Sequence, residues 1–215
     1  TLDDVEVRGK RVFLRSDMNV PMNGEGRILD KTKVVETSET IKELLERGAR
    51  LIIGTHQGRP GGHDFTSTRI HAEVLRELGI EVRHVDGVMC ECARRAIRSV
   101  EPGEAILLEN LRFCSEENLE MPPEQLIRTN LVRRLSPLFD ICVNDAFHAA
   151  HRSQPSLVGI PWVVRSAAGR VMERMVREAE EIEGIEKRVL IELSDGESYH
   201  FLVKDCKATM PEEGK

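Results

Sequence analysis

The sequence has few aromatic residues and no long hydrophobic run. Aromatic side chains make up only 4% of the 215 residues, so any core must be mostly aliphatic. No stretch approaches the ~18 apolar residues that a membrane-spanning helix requires. Residues 1–4 show neither the basic start nor the apolar run of a signal peptide. We therefore expect a cytoplasmic protein without a membrane partner.

Cysteines are also few, and their spacing excludes a disulfide framework. They number five, an odd count, so reduced thiols are the expected state. Cys90 and Cys92 fall in a helical pattern, where residues two apart point to different sides, so we do not expect them to chelate a metal. His148 and His151 are three apart without an accompanying carboxylate–histidine set. The sequence thus predicts no metal site.

Positive charge is scarce overall. The formal net charge is -6, which argues against a nucleic-acid partner, because such domains are normally basic. An anion site must therefore be a local concentration of cations in an acidic surface. No glycine-rich loop followed by lysine is present, so the sequence shows no nucleotide site of its own.

Short apolar segments alternate with amphipathic helical patterns. The segments predict strands at 12–14, 51–53, 82–85, 105–108 and 141–143. Arg83 and His84 mark the third as an edge strand. Gly48 and Gly79 are expected to end the first two helices, and a single helix is expected from Pro122 through Leu135. This alternation predicts an α/β fold with a doubly wound parallel sheet, a Rossmann-like three-layer arrangement.

The last stretch of the chain breaks this rhythm. Residues 188–193 and 199–203 flank an Asp195-Gly196 pair, which predicts a β-hairpin. The polar residues 210–215 are expected to fray. The fold is therefore expected to carry a C-terminal hairpin-like tail.

Polar and cationic residues follow four of the five predicted strands. Because the carboxyl ends of parallel strands meet at one edge of a sheet, we expect these side chains to converge. Arginine forks match the oxygens of phosphate and carboxylate, so the set favours a small, multiply charged anion. His56 and His151, which belong to the set, leave a pH-dependent affinity open. The residues are Arg15, Asp17 and Asn19, then His56, Gln57, Gly58 and Arg59, then Glu109, Asn110 and Arg112, and finally Asn144, Asp145, His148, His151 and Arg152.

Five sequence runs resemble signatures of the phosphoglycerate kinases, in the same order and spacing. They are LRSDMNVP at 14–21, THQGRP at 55–60, LENLRF at 108–113, VNDAF at 143–147 and AHRSQPS at 150–156. Several ordered motifs are far more specific than one glycine-rich loop. The resemblance covers residues 1–186, the length of the family's N-terminal domain, and is closest to archaeal members. Residues 187–215 form an unassigned tail, hairpin-like and then frayed.

The resemblance implies a glycolytic transferase that moves a phosphoryl group between 1,3-bisphosphoglycerate and ADP, with a carboxyl group as acceptor. In that family the N-terminal domain binds 3-phosphoglycerate and a C-terminal domain binds Mg-ATP or Mg-ADP. We expect that nucleotide-binding domain to be absent here, because its glycine-rich, lysine-bearing segment does not follow Lys187. The full-length protein would supply it, and this chain would hold no cofactor itself.

Residue roles also follow from the resemblance. The residues expected to bind substrate are Asp17, Asn19, His56, Arg59, Arg112 and Arg152. A supporting role is expected for Arg15, His151, Asn144 and Asp145. Lys33 stands where the family has a catalytic arginine, and lysine keeps the charge without the planar fork. We expect Lys33 to contribute little to ground-state binding.

Two alternatives remain open at this stage. The chain could be a stand-alone module that senses phosphoglycerate and transfers nothing, which Lys33 and the missing nucleotide segment favour. It could also be an unrelated α/β protein with a surface anion patch, which the order of the motifs disfavours. His148 is a further departure, because the family has a small residue there.

Overall fold

A computed structural model describes residues 1–181, 188–192 and 198–202. Its centre is a six-stranded parallel sheet with the spatial order β3-β4-β2-β1-β5-β6, which confirms the predicted α/β fold. Five of these strands were predicted. The sixth was missed because its Ser-Ala-Ala sequence lacks the bulky apolar residues typical of a buried strand. The strands are β1 (Arg11–Arg15), β2 (Arg50–Gly54), β3 (Val82–Val85), β4 (Ala105–Leu108), β5 (Ile141–Asn144) and β6 (Ser166–Ala168).

The sheet places β1 between β2 and β5. Arg15, the last residue of β1, lies beside Gly54 on one side and Asn144 on the other. The chain moves from β1 to one side of the sheet and later crosses to the other, so this edge is a topological switch point, where open α/β sheets bind ligands. Strand β3 lies at the sheet edge, as Arg83 and His84 predicted.

Helices cover both faces of the sheet. On β1, Val12 and Leu14 pack into one apolar cluster with residues of α1 and α2, whereas Phe13 packs into a second cluster with α3 and α5. This alternation along a strand produces the three-layer arrangement. The helices are α1 (Thr32–Glu46), α2 (Arg69–Glu77), α3 (Glu91–Arg98), α4 (Pro123–Leu126), α5 (Asn130–Leu135), α6 (Ile160–Val163) and α7 (Arg170–Glu181).

Helix ends follow the sequence signals with one exception. Gly48 and Gly79 adopt φ values of 74° and 78° just beyond α1 and α2, as expected of terminating glycines. The predicted single helix after Pro122 is wrong, because Thr129 divides it into α4 and α5. Its hydroxyl donates to Leu126 O at 2.7 Å and accepts from the Val132 N–H at 3.4 Å, so it starts a new helix.

Helix α7 is tied to the first layer by Arg170. Its guanidinium bonds both carboxylate oxygens of Glu43, at 2.7 and 2.8 Å, and Asp3 at 2.6 Å. The hydrogen bonds that Arg170 donates to Glu43 and Asp3 raise its pKa above the ordinary value. This ion-pair network fixes the start of α7 against α1 and the N-terminal turn.

The tail forms the predicted hairpin at backbone level. Strands β7 (Arg188–Glu192) and β8 (Ser198–Leu202) pair antiparallel. The turn predicted at Asp195-Gly196 and residues 203–215 lie outside the described residues. Within the described part, no helix is both long and apolar enough to cross a membrane.

The thiols differ from the expectation in one pair. Cys90 and Cys92 are joined by a disulfide, so the prediction of reduced thiols is wrong for these two residues. Spacing on an ideal helix misled the prediction, because Cys90 is the residue that caps α3 and not a helical one. Cys114 and Cys142 are free, and Cys206 lies outside the described residues.

Candidate anion-binding site

Arg15 forms the floor of the site. Its side chain is fully buried at the carboxyl end of the central strand. The guanidinium donates through Nε to Ser156 Oγ at 2.7 Å and contacts Glu117 Oε1 at 3.7 Å. Burial lowers the pKa of Arg15, and the charge of Glu117 opposes this shift. Arg15 therefore lies beneath the site, and its supporting role stays a prediction.

His56 lies directly against Arg15. The distance between His56 Nδ1 and an Arg15 terminal nitrogen is 3.2 Å, and the ring is only 4% exposed. Burial lowers the pKa of His56 far below its ordinary value, and the charges of Arg15 and Arg112 lower it further, followed by those of Lys33 and Arg152. Because all four cations act on one ring, the structure brings these predicted residues together. This shift favours the neutral ring, which argues against His56 as the source of the pH-dependent affinity left open above.

The loops after β1 and β2 hold each other in place. Asn19 Oδ1 accepts a hydrogen bond from the Gly58 N–H at 2.9 Å. Gln57 bonds both backbone groups of Val20, at 3.1 and 2.9 Å. Gly58 has a φ of 67°, a conformation that favours glycine. These contacts fix the loop that presents His56 and Arg59.

Arg112 connects this loop to the turn after β4. It is 6% exposed, and its guanidinium donates to Gly58 O at 2.6 Å. Burial lowers the pKa of Arg112, as do the charges of Arg15, Arg152 and Arg59. Arg59 itself is exposed at the rim. The site thus has a buried arginine and an exposed arginine on adjoining loops.

Two further cations at this edge are paired with carboxylates. Lys33, in the first turn of α1, contacts Asp17 Oδ2 at 2.8 Å. Arg152, in the loop after β5, contacts Glu120 Oε1 at 3.0 Å. The pairing of Lys33 with Asp17 joins the predicted catalytic position to a predicted substrate-binding residue.

The cations at this edge outnumber the carboxylates. Asp17, Glu117 and Glu120 pair with Lys33, Arg15 and Arg152. Among the described residues, Arg59 and Arg112 form no ion pair. Arg59 and Arg112 are therefore the two arginines of this edge that lack an ion-pair partner, and the carboxylate of Asp64 lies close to Gly58 in the same loop. Two such arginines favour an anion with several charged oxygens.

Three residues that were expected to support the site either form hydrogen bonds elsewhere or are exposed to solvent. Asp145 is buried, and its Oδ1 accepts the Val171 and Met172 N–H groups at 2.9 and 3.1 Å, so it caps the first turn of α7. Burial raises the pKa of Asp145. Asn144 Oδ1 accepts from the Ala146 N–H at 3.1 Å, which closes a local turn. His151 is exposed, and so is His148, the departure noted in the sequence.

Three site residues were missed by sequence reasoning. They are Glu117, which is fully buried beside Arg15, Ser156, which bonds both Glu117 and Arg15, and Glu120, the partner of Arg152. Glu117 lies in an acidic run, which is usually a solvated surface. Only Ser156 stood in one of the family-like runs, and nothing marked its hydroxyl as buried.

A second polar cluster lies further along the same edge. His84, Asp86 and Glu109 offer ligand atoms within 4.8 Å of one another. Glu109 already accepts from the Thr68 N–H at 2.9 Å and the Asn110 N–H at 2.7 Å, and Asp86 is held by Arg69 at 2.5 Å. Burial opposes ionisation of Glu109, but hydrogen bonds from His84, Asn110, Thr68 and Ser67 lower its pKa to about 2. The cluster therefore serves to fix the end of the loop that follows β2.

Comparison with known proteins identifies relatives that match this chain over all six strands of the parallel sheet. A family model described as phosphoglycerate kinase matches residues 2–196. The phosphoglycerate kinase of Methanothermobacter thermautotrophicus is 51% identical over 179 residues, covering 82% of this chain and 44% of the relative. That of Saccharolobus solfataricus is 48% identical over 177 residues, covering 82% and 43%. The crystal structure of phosphoglycerate kinase from Pyrococcus horikoshii superimposes with a TM-score of 0.81 at 40% identity, covering 86% of this chain and 47% of that one. The chain thus spans less than half the length of these relatives.

Proposed function

The chain belongs to the phosphoglycerate kinase family, and from that premise we propose that residues 1–186 bind 3-phosphoglycerate at the edge where β1, β2, β4 and β5 end. The observation that carries this proposal is that Arg59 and Arg112, set beside the buried His56, have no ion-pair partner among the described residues. A phosphate and a carboxylate on one small molecule would balance them.

The residue roles in this proposal follow the geometry. Arg112 is held by Gly58 O and can present its remaining donors in a fixed direction, whereas Arg59 is exposed and can close over the ligand. Arg152 is held by Glu120 in the free protein, so it would exchange a surface ion pair for the ligand. Asp17 and Asn19 lie in the loop that Gly58 and Lys33 hold in place, where they would orient the hydroxyl and carboxylate region.

The complete reaction also requires a site for the nucleotide. We propose that the full-length protein transfers a phosphoryl group between 1,3-bisphosphoglycerate and ADP, with a nucleotide-binding domain that holds Mg-ATP or Mg-ADP. In that reaction Lys33 would stabilise charge on the transferring phosphoryl group. A cytoplasmic location remains part of this proposal, as expected from the sequence.

A second candidate is a stand-alone module that binds phosphoglycerate without transferring a phosphoryl group. The observation that favours it is the Lys33–Asp17 ion pair, in which the residue at the catalytic position is already occupied. Phosphoryl transfer needs charge stabilisation that grows in the transition state, and binding needs only ground-state contacts. Kinase activity measured on the full-length protein separates the two candidates.

Calorimetry with the isolated chain tests the binding proposal. We expect 3-phosphoglycerate to bind and ADP not to bind, with affinity for the former falling as salt rises, because an open site is screened. Arg59→Ala and Arg112→Ala should each weaken binding by about ten- to hundred-fold, as expected for a lost charge-assisted hydrogen bond. Micromolar binding of ADP, or no binding of 3-phosphoglycerate, would contradict the proposal.

Two matched variants sharpen this test. Arg95→Ala removes the same charge from the exposed side of α3 and should leave the dissociation constant unchanged. Glu120→Gln frees Arg152 from its carboxylate and should tighten binding by about two- to five-fold, the size of an exposed ion pair. Equal weakening by Arg59→Ala and Arg95→Ala would show that the overall field, and not this site, attracts the anion.

A further inference from the structure

Glu117 is a charged residue that the proposed binding roles do not use. It lies in the turn that follows Arg112, its side chain is fully buried, and its neighbour in space is the equally buried Arg15. Removing two charges from water costs several kcal/mol for each ion. A buried ion pair this costly, beside the proposed binding site, indicates that it holds a neighbouring group in position.

Hydrogen-bond directions fix the charge state of this pair. Ser156 Oγ accepts from Arg15 Nε, so its single proton is free to donate, and the acceptor in reach is Glu117 Oε1. The Ser156 N–H donates to the other oxygen of Glu117 at 3.0 Å. Burial raises the pKa of Glu117, but Arg15 and these two hydrogen bonds oppose that shift. Both oxygens of Glu117 act as acceptors, which is the pattern of a carboxylate.

The same reasoning fixes the tautomer of His56. The Arg15 guanidinium has donors only, so His56 Nδ1, at 3.2 Å from it, must accept. An imidazole that accepts at Nδ1 is neutral and carries its proton on Nε2. In the described part of the chain, His56 Nε2 has no protein partner, and it is not among the buried polar atoms left without one. The Nε2–H therefore reaches the open side of the ring.

The surroundings of His56 keep it in this state. The charges that lower the pKa of the ring most are those of Arg15 from β1, Arg112 from the turn after β4, Lys33 from α1 and Arg152 from the loop after β5. The nearby carboxylates of Glu117 and Asp17 are engaged by Arg15 and Lys33, so the four cations together oppose protonation of the ring. A neutral donor is suited to such a site, because it adds a directed hydrogen bond without adding to the repulsion among the arginines.

We infer that Glu117 is a positioning residue: as the buried counter-ion of Arg15, it holds the guanidinium against His56 Nδ1 and so fixes His56 as a neutral Nε2–H donor for an anionic oxygen. Without the carboxylate, the guanidinium loses its partner on one side, and its contact with Nδ1 loses definition. The ring can then exchange its proton between the two nitrogens. The inference rests on the proposed function only for the identity of the anion.

Nitrogen NMR of the free protein tests the tautomer. Long-range proton–nitrogen correlation spectra distinguish Nδ1–H, Nε2–H and doubly protonated rings, and His56→Gln identifies the His56 signals. We expect a single neutral Nε2–H form from pH 5 to pH 8. An Nδ1–H form, or protonation of His56 within that range, would overturn the inference. This measurement uses no ligand and no Glu117 variant, so its outcome is independent of whether 3-phosphoglycerate binds.

Glu117→Gln tests the positioning role, because it keeps the shape and removes the charge. We expect both His56 tautomers to appear, and the affinity for 3-phosphoglycerate to fall roughly three- to ten-fold, the effect of one weakened hydrogen bond. Glu116→Gln is the matched control. Glu116 caps α5 through the Leu131 N–H at 2.8 Å and should affect stability without changing the tautomer of His56.

Ser156→Ala provides a milder route to the same result. It removes the hydroxyl that links Arg15 and Glu117 and leaves both charges in place. We expect a smaller admixture of the Nδ1–H form than in Glu117→Gln. A pure Nε2–H ring in both variants would overturn the positioning role, and Ser156→Ala alone decides if Glu117→Gln does not fold. Absence of 3-phosphoglycerate binding to the unaltered chain would instead refute the proposed function.

Discussion

Lys33 Nζ lies 2.8 Å from Asp17 Oδ2, and this ion pair neutralises a carboxylate of the loop that follows β1. Asp17 is 7% exposed and Lys33 is 32% exposed, so the pair is partly shielded from solvent. A carboxylate left unpaired beside an anion site would repel the ligand. We therefore expect the position that the sequence linked to catalysis to act on binding as well.

This ion pair changes the expectation that Lys33 matters little for binding. We expect Lys33→Ala to weaken 3-phosphoglycerate binding by about five- to ten-fold, the size of one charged contact. The double variant Lys33→Ala/Asp17→Asn should recover most of the loss, because it removes the repelling charge. Calorimetry on the single and double variants measures the coupling.

Lys31→Ala is the control for that experiment. Lys31 precedes α1 and pairs at 2.5 Å with the exposed Glu77, away from Asp17. Its replacement removes the same charge and should leave binding unchanged. If Lys31→Ala and Lys33→Ala have equal effects, or if the double variant binds as weakly as Lys33→Ala, the ion pair is not the cause.

The buried His71 predicts acid sensitivity of the fold. Its Nε2 contacts Met18 O at 2.9 Å, and burial lowers its pKa to about 4. In the unfolded chain the ring binds a proton below pH ~6.5. Between pH 6.5 and pH 4 the unfolded state therefore holds one more proton than the folded state, so stability falls as the pH falls.

Urea unfolding at several pH values measures this effect. Each histidine that is neutral only in the folded state contributes about 1.4 kcal/mol per pH unit, so we expect His71 to account for about 2 kcal/mol between pH 6.5 and pH 5. His71→Gln should reduce the loss of unfolding free energy between pH 6.5 and pH 5 by that amount. His63→Gln, at an exposed histidine, should not. Parallel curves for His71→Gln and the unaltered chain would contradict the assignment.

The sequence predicted the fold well because periodicity depends on burial. Continuous apolar runs located four strands, the mixed segment at 82–85 located the edge strand β3, and terminal glycines located the ends of α1 and α2. The prediction was wrong where a single side-chain hydrogen bond sets a helix boundary. Thr129 divides α4 from α5 although the apolar pattern continues across it. Strand β6 was missed because its Ser-Ala-Ala sequence has no apolar run. A strand at the sheet edge needs little apolar surface, so periodicity could not detect it.

The site could be predicted only in its outline. Residues after the strands were expected to converge, and His56, Arg112, Arg152 and Arg15 do so, joined by Lys33 from α1. Which charges pair across the site depends on distances between loops far apart in the chain, so the sequence could not show that Glu117 is buried. For the same reason it could not show that Asp145, in the middle of a family-like run, caps α7.

The Cys90–Cys92 disulfide can be tested chemically. We expect neither residue to react with iodoacetamide until the chain is reduced, and peptide mass mapping locates the label. Because the bond closes a very short loop, its loss should cost at most about 2 kcal/mol of stability. In Cys90→Ser the hydroxyl can also replace the sulfur that accepts from the Ala93 N–H, which reduces the cost further.

Cys114→Ser is the control, since Cys114 is free and half-buried. Its replacement should leave the labelling of the other pair unchanged. Labelling of Cys90 and Cys92 in the absence of reductant would show that the disulfide does not form in the isolated protein.

Gly58 links three parts of the site through its backbone. Its N–H donates to Asn19, its carbonyl accepts from Arg112, and its φ of 67° disfavours other residues. A Cβ at this position would lie 2.7 Å from the Asp64 backbone. Gly58→Ala should therefore displace the loop that carries His56 and Arg59.

Gly61 provides a matched comparison. It has a similar φ of 83°, but a Cβ there would meet nothing within 4 Å. Gly61→Ala should cost about 1 kcal/mol of stability, the backbone strain alone. Gly58→Ala adds a clash with backbone atoms that cannot move aside easily, so we expect a loss of about 2–4 kcal/mol. Unfolding curves measure this difference.

Ligand binding separates the two glycines further. Gly58→Ala should weaken 3-phosphoglycerate binding at least about ten-fold, because Asn19 and Arg112 each lose a fixed hydrogen bond. Gly61→Ala lies in the same loop and should change affinity by less than about two-fold, since none of these contacts depends on it. Equal affinities for the two variants would contradict the role of Gly58. Either the loop after β2 would present Arg59 without the support of Gly58, or the anion would be held elsewhere along the edge.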